Sequence, residues 1–202
     1  HVRFTLLETV AGYAIGVTLG LLAALAVALT PRLHRVTQPF LIAFYAIPKI
    51  ALAPLIIIWF GLGLLPKILL ASLFVFFIVF LNTVAGVRSV SPSLVSVARV
   101  MGAAPRDLLA KIVLPASVPF IIAALRLTIP SAMIGAVVGE FISSNRGLGY
   151  LINAASSRYE TATVFAGIGS LLIVVVLMDV AVSWLERRLL RWRPAGQAAQ
   201  RV

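Results

Sequence analysis

The chain has 202 residues, of which 61% are hydrophobic and 11% are charged, and it contains no cysteine. Soluble domains carry about twice this share of charged residues. The mean hydropathy of +1.10 excludes both a disordered chain and a soluble enzyme with a solvated surface. The absence of cysteine excludes a disulfide scaffold and a Cys-ligated metal site. These features predict an all-α polytopic membrane protein without a metal site.

The net charge of +11 arises from 17 Lys and Arg residues against 6 Asp and Glu residues. In a soluble protein such an excess suggests nucleic-acid binding. Here the basic residues cluster between apolar runs, which is typical of the loops of a membrane protein. The charge pattern therefore predicts a lipid bilayer as the environment and no nucleic-acid partner.

Five apolar segments are long enough to cross the hydrocarbon core, which takes about 20 residues. We predict transmembrane helices at about 4–29, 40–60, 66–87, 116–142 and 163–185. The second segment contains Lys49 between Pro48 and Pro54, and proline kinks a helix because it removes a backbone donor. A kink against neighbouring helices is the favoured interpretation, and an initial interfacial stretch is the alternative.

The orientation follows from the distribution of Lys and Arg between the loops. The regions 30–39, 88–115 and after residue 185 together carry 11 basic residues, whereas the opposite side carries 4. The positive-inside rule places the first group in the cytoplasm, so the chain starts outside and ends inside. Because the chain also begins at His1 rather than Met, we expect one amino-terminal span to be missing.

The long loop at 88–115 is patterned as two short amphipathic helices. The first helix has an apolar face formed by Leu94, Val97, Ala98 and Met101. Gly102 suits a left-handed cap at its end, Pro105 suits the first position of the second helix, and Pro115 is expected to close the unit. The pattern fits equally well a docking platform for a cytoplasmic partner and a helix that lies on the membrane surface.

The residue spacing in this loop resembles the EAA loop of ABC importer permeases. The segment Ser96-Val97-Ala98 is followed after three residues by Gly102, and after nine more by Ile112-Val113-Leu114-Pro115. One departure is clear, because the first position is usually glutamate in the family and is Ser96 here. The serine has no carboxylate for a salt bridge, but the helix–glycine–helix shape does not depend on one.

Five further stretches resemble the nitrate, sulfonate and taurine branch of the same family. They lie in chain order at 5–20, 47–63, 82–92, 146–152 and 186–192. The resemblance covers nearly the whole chain, and its ordered matches are specific for the family but only weakly specific for the ligand. Full-length members of this branch usually have one more amino-terminal span, in agreement with the predicted orientation.

The resemblance implies the MetI-like ABC permease fold, with one transmembrane domain over 1–202 that includes a cytoplasmic coupling loop at 88–115. In this family two permease copies form a homodimer in the bacterial inner membrane, with ATP-binding subunits in the cytoplasm and a solute-binding protein outside. The resemblance implies no cofactor in this chain, since the partner subunit binds ATP. The coupling role falls, position by position, on Ser96, Ala98, Gly102, Ile112, Leu114 and Pro115.

No enzymatic activity and no catalytic residues are predicted for the chain. It lacks the G-x-x-x-x-G-K-[ST] pattern of a nucleotide-binding loop, and we interpret Gly61-Leu62-Gly63 and Gly147-Leu148-Gly149 as outer turns. One alternative function is an ion-coupled secondary transporter, which would need several acidic residues within its spans. Another is a membrane scaffold, which would not need the patterned loop.

Three charged residues within the predicted spans are candidates for special roles. Glu140 either lines the solute path or meets water at the outer interface. Arg126 and Asp179 lie at overlapping depth in consecutive antiparallel spans, so we predict that they form a buried ion pair. The alternative is that the Arg126 side chain extends to the cytoplasmic interface.

Small residues repeat along two of the predicted spans, every fourth residue. Such stripes allow helices in membranes to approach each other closely. Packing within the chain is the favoured interpretation, and a seam between two copies is the alternative. The residues are Gly12, Gly16, Gly20, Gly135 and Gly139.

Reporter fusions test the predicted orientation. A reporter inserted in the 143–160 loop should be external and one placed after Arg193 should be cytoplasmic, because the basic residues are concentrated on one side. Digestion of intact cells and of opened cells with a protease that does not cross the membrane gives the location of each reporter. Two reporters on the same side would contradict the five-span topology.

Overall fold

The structure is a computed structural model that describes residues 1–189, apart from the side chains of Leu29, residues 31–35, Gln38, Ile42, Pro105, Leu185 and Leu189. The arginines of the tail after residue 189 lie outside the described residues. Within this part of the chain all regular structure is helical, in agreement with the predicted all-α fold. We call the end that carries the 89–104 loop the inner end, following the charge-based orientation, and the opposite end the outer end.

The helices follow one another with short connections. In chain order they are α1 (Val2–Leu29), α2 (Pro31–Ala46), a 3₁₀ turn (Lys49–Leu52), α3 (Ala53–Phe60), α4 (Leu64–Arg88), α5 (Pro92–Val100), α6 (Pro105–Leu108), a π-helical segment (Leu109–Val113), α7 (Leu114–Ser143), α8 (Leu148–Ser157) and α9 (Thr161–Leu189). Four helices of the described chain are long and apolar enough to cross a membrane, and a bent pair would make a fifth.

Helix α4 lies at the centre of the bundle, between α1 and α7. Half of its most apolar stretch is buried, compared with 11% of the corresponding stretch of α9. Val75 and Val79 of α4 are fully buried against Ala132 of α7 and the side chains of α1. Helix α9 packs on α7 through Val174, so most of its surface faces away from the chain.

The glycine stripes bring α1 and α7 against opposite sides of α4. A Cβ on Gly12 would overlap the Cβ of Ala71, and a Cβ on Gly16 would lie 2.6 Å from the carbonyl oxygen of Ser72. From the other side, a Cβ on Gly135 would lie 2.6 Å from the Cα of Ala71. Three helices therefore meet at Ala71, and only small residues fit there.

The same packing extends to the remaining glycines of the two stripes. A Cβ on Gly20 would lie 3.0 Å from the carbonyl oxygen of Phe76, and one on Gly139 would lie 2.9 Å from the side chain of Lys67. All five glycines thus contact α4 of the same chain. The interpretation of the stripes as packing within the chain is confirmed.

The second predicted span is broken rather than merely kinked. Helix α2 ends at Ala46, and the chain turns by 80° before the 3₁₀ turn and α3. Ile47 and Pro48 have extended backbones, with ψ of 129° and 101°. Proline disfavours the helical conformation in the preceding residue, so Pro48 ends α2 and leaves a stretch of non-helical backbone in this segment.

The fourth span begins earlier than its apolar run indicates. A helix of 38 residues extends from Arg106 to Ser143 and includes the second helix predicted for the loop. The expectation that Pro115 closes that unit is therefore wrong. Proline has no N–H to donate to the carbonyl oxygen of residue i−4. The π-helical segment before Pro115 accommodates this defect, with the N–H of Leu114 donating to the carbonyl oxygen of Leu109.

Helix α8 was not predicted, because its residues fall in the loop assigned to 143–160. It packs against α9 and α7, and it buries Leu148 and Ala155. Gly147 precedes it with a φ of 108°, a conformation that is readily available only to glycine. The predicted outer turn at this glycine is present, but it leads directly into a helix.

Substitution of Gly135 tests the close packing at Ala71. Gly135→Ala should destabilise the protein by about 1–3 kcal/mol, because the added methyl group meets backbone atoms that cannot move aside. Gly169→Ala is the matched control, since nothing lies within 4 Å of a Cβ on this helical glycine. Thermal unfolding in detergent should show a lower Tm for Gly135→Ala alone, and an equal Tm for both variants would contradict the packing.

Candidate functional site

The inner loop contains a helix that ends in a Schellman motif at Gly102. The N–H of Gly102 donates to the carbonyl oxygen of Arg99, and the N–H of Ala103 donates to that of Ala98, both at 3.0 Å. Gly102 has a φ of 86°, in the left-handed region, as expected for the predicted cap. A Cβ on it would meet nothing within 4 Å, so the backbone conformation and not a crowded neighbour within the chain requires glycine here.

An apolar surface lies on α5 and its carboxyl end. Val97 is 57% exposed, Val100 90% and Met101 82%. Together with Leu94 these residues form what we call the α5 surface. The sequence pattern identified Leu94, Val97 and Met101 but missed Val100, because Val100 lies off the i, i+3, i+4, i+7 series and is recognisable only as the last residue of α5.

Gly102 is one of the six positions assigned to coupling, and the other five fall on two sides of it. Ser96 is exposed on α5, where its hydroxyl donates to the carbonyl oxygen of Pro92 at 3.0 Å, and Ala98 is half-buried. The others lie on the long helix that follows the loop, and they are all half-buried. They are Ile112, Leu114 and Pro115.

A second polar cluster lies at the outer end, around Glu140 of α7. This side chain is 1% exposed. Its Oε1 accepts a hydrogen bond from the hydroxyl of Thr5 at 2.6 Å, and its Oε2 accepts one from the N–H of Gly149 at 2.5 Å. The N–H of Leu148 donates in turn to the Thr5 hydroxyl at 2.7 Å. The carboxylate thus joins α1 and α7 to the amino terminus of α8, where the helix dipole favours an anion.

The glycines of the Arg146-Gly147-Leu148-Gly149 stretch make this contact possible. A Cβ on Gly147 would overlap the carboxylate of Glu140, and one on Gly149 would lie 2.8 Å from Oε2. Glu140 is therefore enclosed by backbone and does not lie on an open surface of the chain. This position does not support the predicted role of Glu140 in lining the solute path.

An ion pair between Glu8 and Lys67 lies beside this cluster. The Lys67 ammonium is 3.2 Å from Oε1 of Glu8, with side chains 6% and 0% exposed respectively, and it donates to the hydroxyl of Ser144 at 2.7 Å. Lys67 is one of the four basic residues predicted on the outer side, and no role was predicted for Glu8. The spacing in the sequence nevertheless indicates this contact, because Glu8 lies one turn before Gly12 and so shares the face that packs on α4.

The predicted pair between Arg126 and Asp179 is not formed, and this prediction is wrong. Arg126 lies 2.8 Å from a carboxylate oxygen of Glu186 and donates to the hydroxyl of Ser183 at 2.6 Å. Asp179 is exposed. The correct pair of helices was predicted, but the long arginine side chain extends towards the inner end. There the Glu186 carboxylate lies within reach of the guanidinium.

Comparison with known proteins identifies relatives over nearly the whole chain. A family model described as "binding-protein-dependent transport system inner membrane component" matches residues 16–191. The putative aliphatic sulfonates transport permease protein SsuC of Bacillus subtilis is 37% identical, over 96% of this chain and 70% of that protein. The formylaminopyrimidine transport permease protein ThiX of Halalkalibacterium halodurans is 35% identical, over 96% of this chain and 77% of that protein.

The fold also matches a solved transporter. A chain of the MetNI methionine ABC transporter, in a structure of its inward-facing conformations, superposes with a TM-score of 0.79 at 21% identity. The superposition covers 93% of this chain and 94% of that chain. The predicted MetI-like permease fold is confirmed.

A double-mutant cycle tests the outer ion pair. Lys67→Met should destabilise the protein by about 3–5 kcal/mol, because it leaves the buried Glu8 carboxylate without its counter-charge. Adding Glu8→Leu to Lys67→Met should restore much of this stability, since no charge then stays buried. Free energies of unfolding in mixed detergent micelles measure both effects.

The control for this cycle is the exposed pair of Arg158 and Glu160, whose side chains are 72% and 47% exposed. Arg158→Met should change the free energy of unfolding by no more than about 1 kcal/mol. If Lys67→Met is as stable as the unmodified protein, the Glu8 carboxylate does not depend on Lys67.

Proposed function

The chain belongs to the family of binding-protein-dependent transport system inner membrane components, and from this premise we propose how it works as the permease subunit of an ABC importer. Two copies form the translocation path across the bacterial inner membrane. A separate cytoplasmic subunit binds and hydrolyses ATP, and an external binding protein delivers the solute. Family membership gives no support to the alternatives of an ion-coupled secondary transporter or a membrane scaffold.

The observation that carries the proposal is the exposed α5 surface at the inner end. An amphipathic helix that lies on lipid buries an apolar stripe along its whole length. Here the greatest exposure is at the carboxyl end, in Val100 and Met101, directly before the sharp turn at Gly102. A projecting apolar end of this kind is suited to fill a groove on a protein partner, and we assign that partner as the ATPase subunit.

The long helix after the loop provides a path for the coupling. Its 38 residues from Arg106 to Ser143 span about 57 Å at 1.5 Å per residue. The inner end of this helix carries Ile112, Leu114 and Pro115, and its outer part carries Glu140. A movement of the ATPase against the α5 surface would pass through the turn at Gly102 to this long helix, and the helix would carry it to the outer polar cluster.

The relatives suggest the class of solute. The name of SsuC refers to aliphatic sulfonates, and that of ThiX refers to formylaminopyrimidine. We propose a small solute of the sulfonate, taurine or nitrate type. Uptake into proteoliposomes that contain the permease and its ATPase, with the binding protein added outside, tests the solute directly.

Substitution of Gly102 tests the docking role of the inner loop. Gly102→Leu should reduce recovery of the ATPase subunit with the affinity-tagged permease by about tenfold, which corresponds to about 1.4 kcal/mol of binding free energy. The physical reason is that a bulky side chain at this exposed turn holds the ATPase surface away. Solute uptake should fall in parallel.

Gly61→Leu is the matched control for backbone strain. Gly61 has a φ of 76° with a ψ of −170°, a region open essentially only to glycine, so leucine is strained there as it is at the φ of 86° of Gly102. A Cβ on either glycine meets nothing within 4 Å. Gly61 lies between α3 and α4 at the outer end, so its substitution should leave ATPase recovery unchanged. Equal losses in both variants would mean that strain and not docking explains the effect, and normal recovery with Gly102→Leu would contradict the assignment.

A further inference from the structure

Lys49 lies at the break between α2 and α3, surrounded by aromatic side chains. Its ammonium donates to the carbonyl oxygen of Tyr45 at 3.2 Å. The same ammonium is 4.4 Å from the centre of the Tyr45 ring and 5.4 Å from that of the Phe77 ring. Contacts of this type are cation–π interactions, and they hold the charge at the end of α2.

The position of Phe77 gives the depth of this charge in the membrane. Helix α4 runs from Leu64 to Arg88, and Phe77 is the fourteenth of its 25 residues. At 1.5 Å per residue it lies about 20 Å from one end and about 17 Å from the other. The Lys49 ammonium is therefore near the middle of the hydrocarbon layer, where charged side chains are costly and usually functional.

Lys49 differs from two other basic side chains held among the spans, because no salt bridge joins it to a carboxylate among the described residues. Lys67 is paired with Glu8, and Arg126 is paired with Glu186. Among the side chains that the structure describes, no carboxylate lies within 4 Å of the Lys49 ammonium. This leaves a positive charge at mid-membrane depth that an anion would neutralise.

The extended backbone beside Lys49 favours a protein or water environment for the surface around it. Non-helical backbone at membrane depth is tolerated only against protein or a water-filled cavity, and the backbone is extended at Ile47 and Pro48. In the single chain this surface is open, with Tyr45 46% and Ile50 55% exposed. Discontinuous helices near the midplane are also where transporters place their substrate sites.

We propose that Lys49 and Tyr45 form a binding site for the sulfonate group of the solute on its way through the permease. An ammonium has three donors, and one is used by the Tyr45 carbonyl oxygen, so two are available for sulfonate oxygens. The aromatic rings provide an apolar wall for the alkyl part. The inference rests on the proposed transport function and adds to it a site and the charge of the solute.

Protection of Lys49 from an amine-reactive reagent tests the site. The complete importer, with its ATPase, is reconstituted in nanodiscs and acetylated with or without ethanesulfonate, and mass spectrometry gives the rate at each lysine. Ethanesulfonate should slow acetylation of Lys49 by about tenfold, as expected for charge-assisted hydrogen bonds. The uncharged analogue ethyl methyl sulfone should have no effect, and the rate at Lys111 should not change with either compound.

Two outcomes of the labelling experiment would overturn the proposal. The first is that ethanesulfonate gives no protection, or no more than the sulfone. The second is that Asp179→Asn accelerates acetylation of Lys49 in the absence of ethanesulfonate. That result would mean that the exposed carboxylate of Asp179 in a second copy neutralises the lysine.

Transport by Lys49 variants separates failure of the site from failure of the proposed function. With ethanesulfonate as the transported probe, Lys49→Gln should reduce uptake by about tenfold, whereas Lys49→Arg should retain most of it because it keeps the charge. Recovery of the ATPase subunit with the permease should be normal in both variants. Unchanged uptake in Lys49→Gln would reject the site. If the ATPase subunit is not recovered with the unmodified permease, the proposed function is rejected instead.

Discussion

The crossing of three helices at Ala71 is the contact on which the rest of the structure depends. Gly12 of α1 and Gly135 of α7 approach this residue from opposite sides, closer than any side chain would allow. Lipid tails are as apolar as leucine, so hydrophobic burial does little to hold helices together in a bilayer, and close packing has to do so. The small residues provide this packing and fix the depth of α1, α4 and α7 relative to one another.

The outer polar cluster follows from this register. Glu8 lies one turn before Gly12 and Lys67 one turn before Ala71, while Glu140 directly follows the glycine stripe of α7. The crossing therefore brings one ammonium and two carboxylates together at the same depth. Buried charges are tolerated only when they are paired or hydrogen-bonded, and the amino terminus of α8 supplies donors to Glu140. The outer end is thus stabilised by electrostatic interactions, whereas the centre is stabilised by the close packing of small residues.

The inner end is built differently, because its apolar residues are exposed and its backbone conformation is set locally. Gly102 needs no contact within the chain to explain it, since its φ of 86° already requires glycine. The open apolar end at Val100 and the ammonium of Lys49 share one property, which is that the described part of the chain does not complete their surroundings. We propose a partner for each, the ATPase subunit for the α5 surface and the solute for Lys49.

The sequence by itself indicated the approximate positions of the apolar spans and the loop with its glycine cap, because these depend on apolar length and local spacing, and the resemblance of its motifs indicated the family. It also indicated that the glycine stripes face a neighbour within the chain. Only the tertiary structure decided which side chains meet. Arg126 contacts Glu186 and not Asp179 because its long side chain extends along the helix. The depth of a residue estimated from its number gives the position of the backbone and not that of the guanidinium. Likewise, the enclosure of Glu140 depends on where α8 packs, and no local pattern encodes a contact between distant segments.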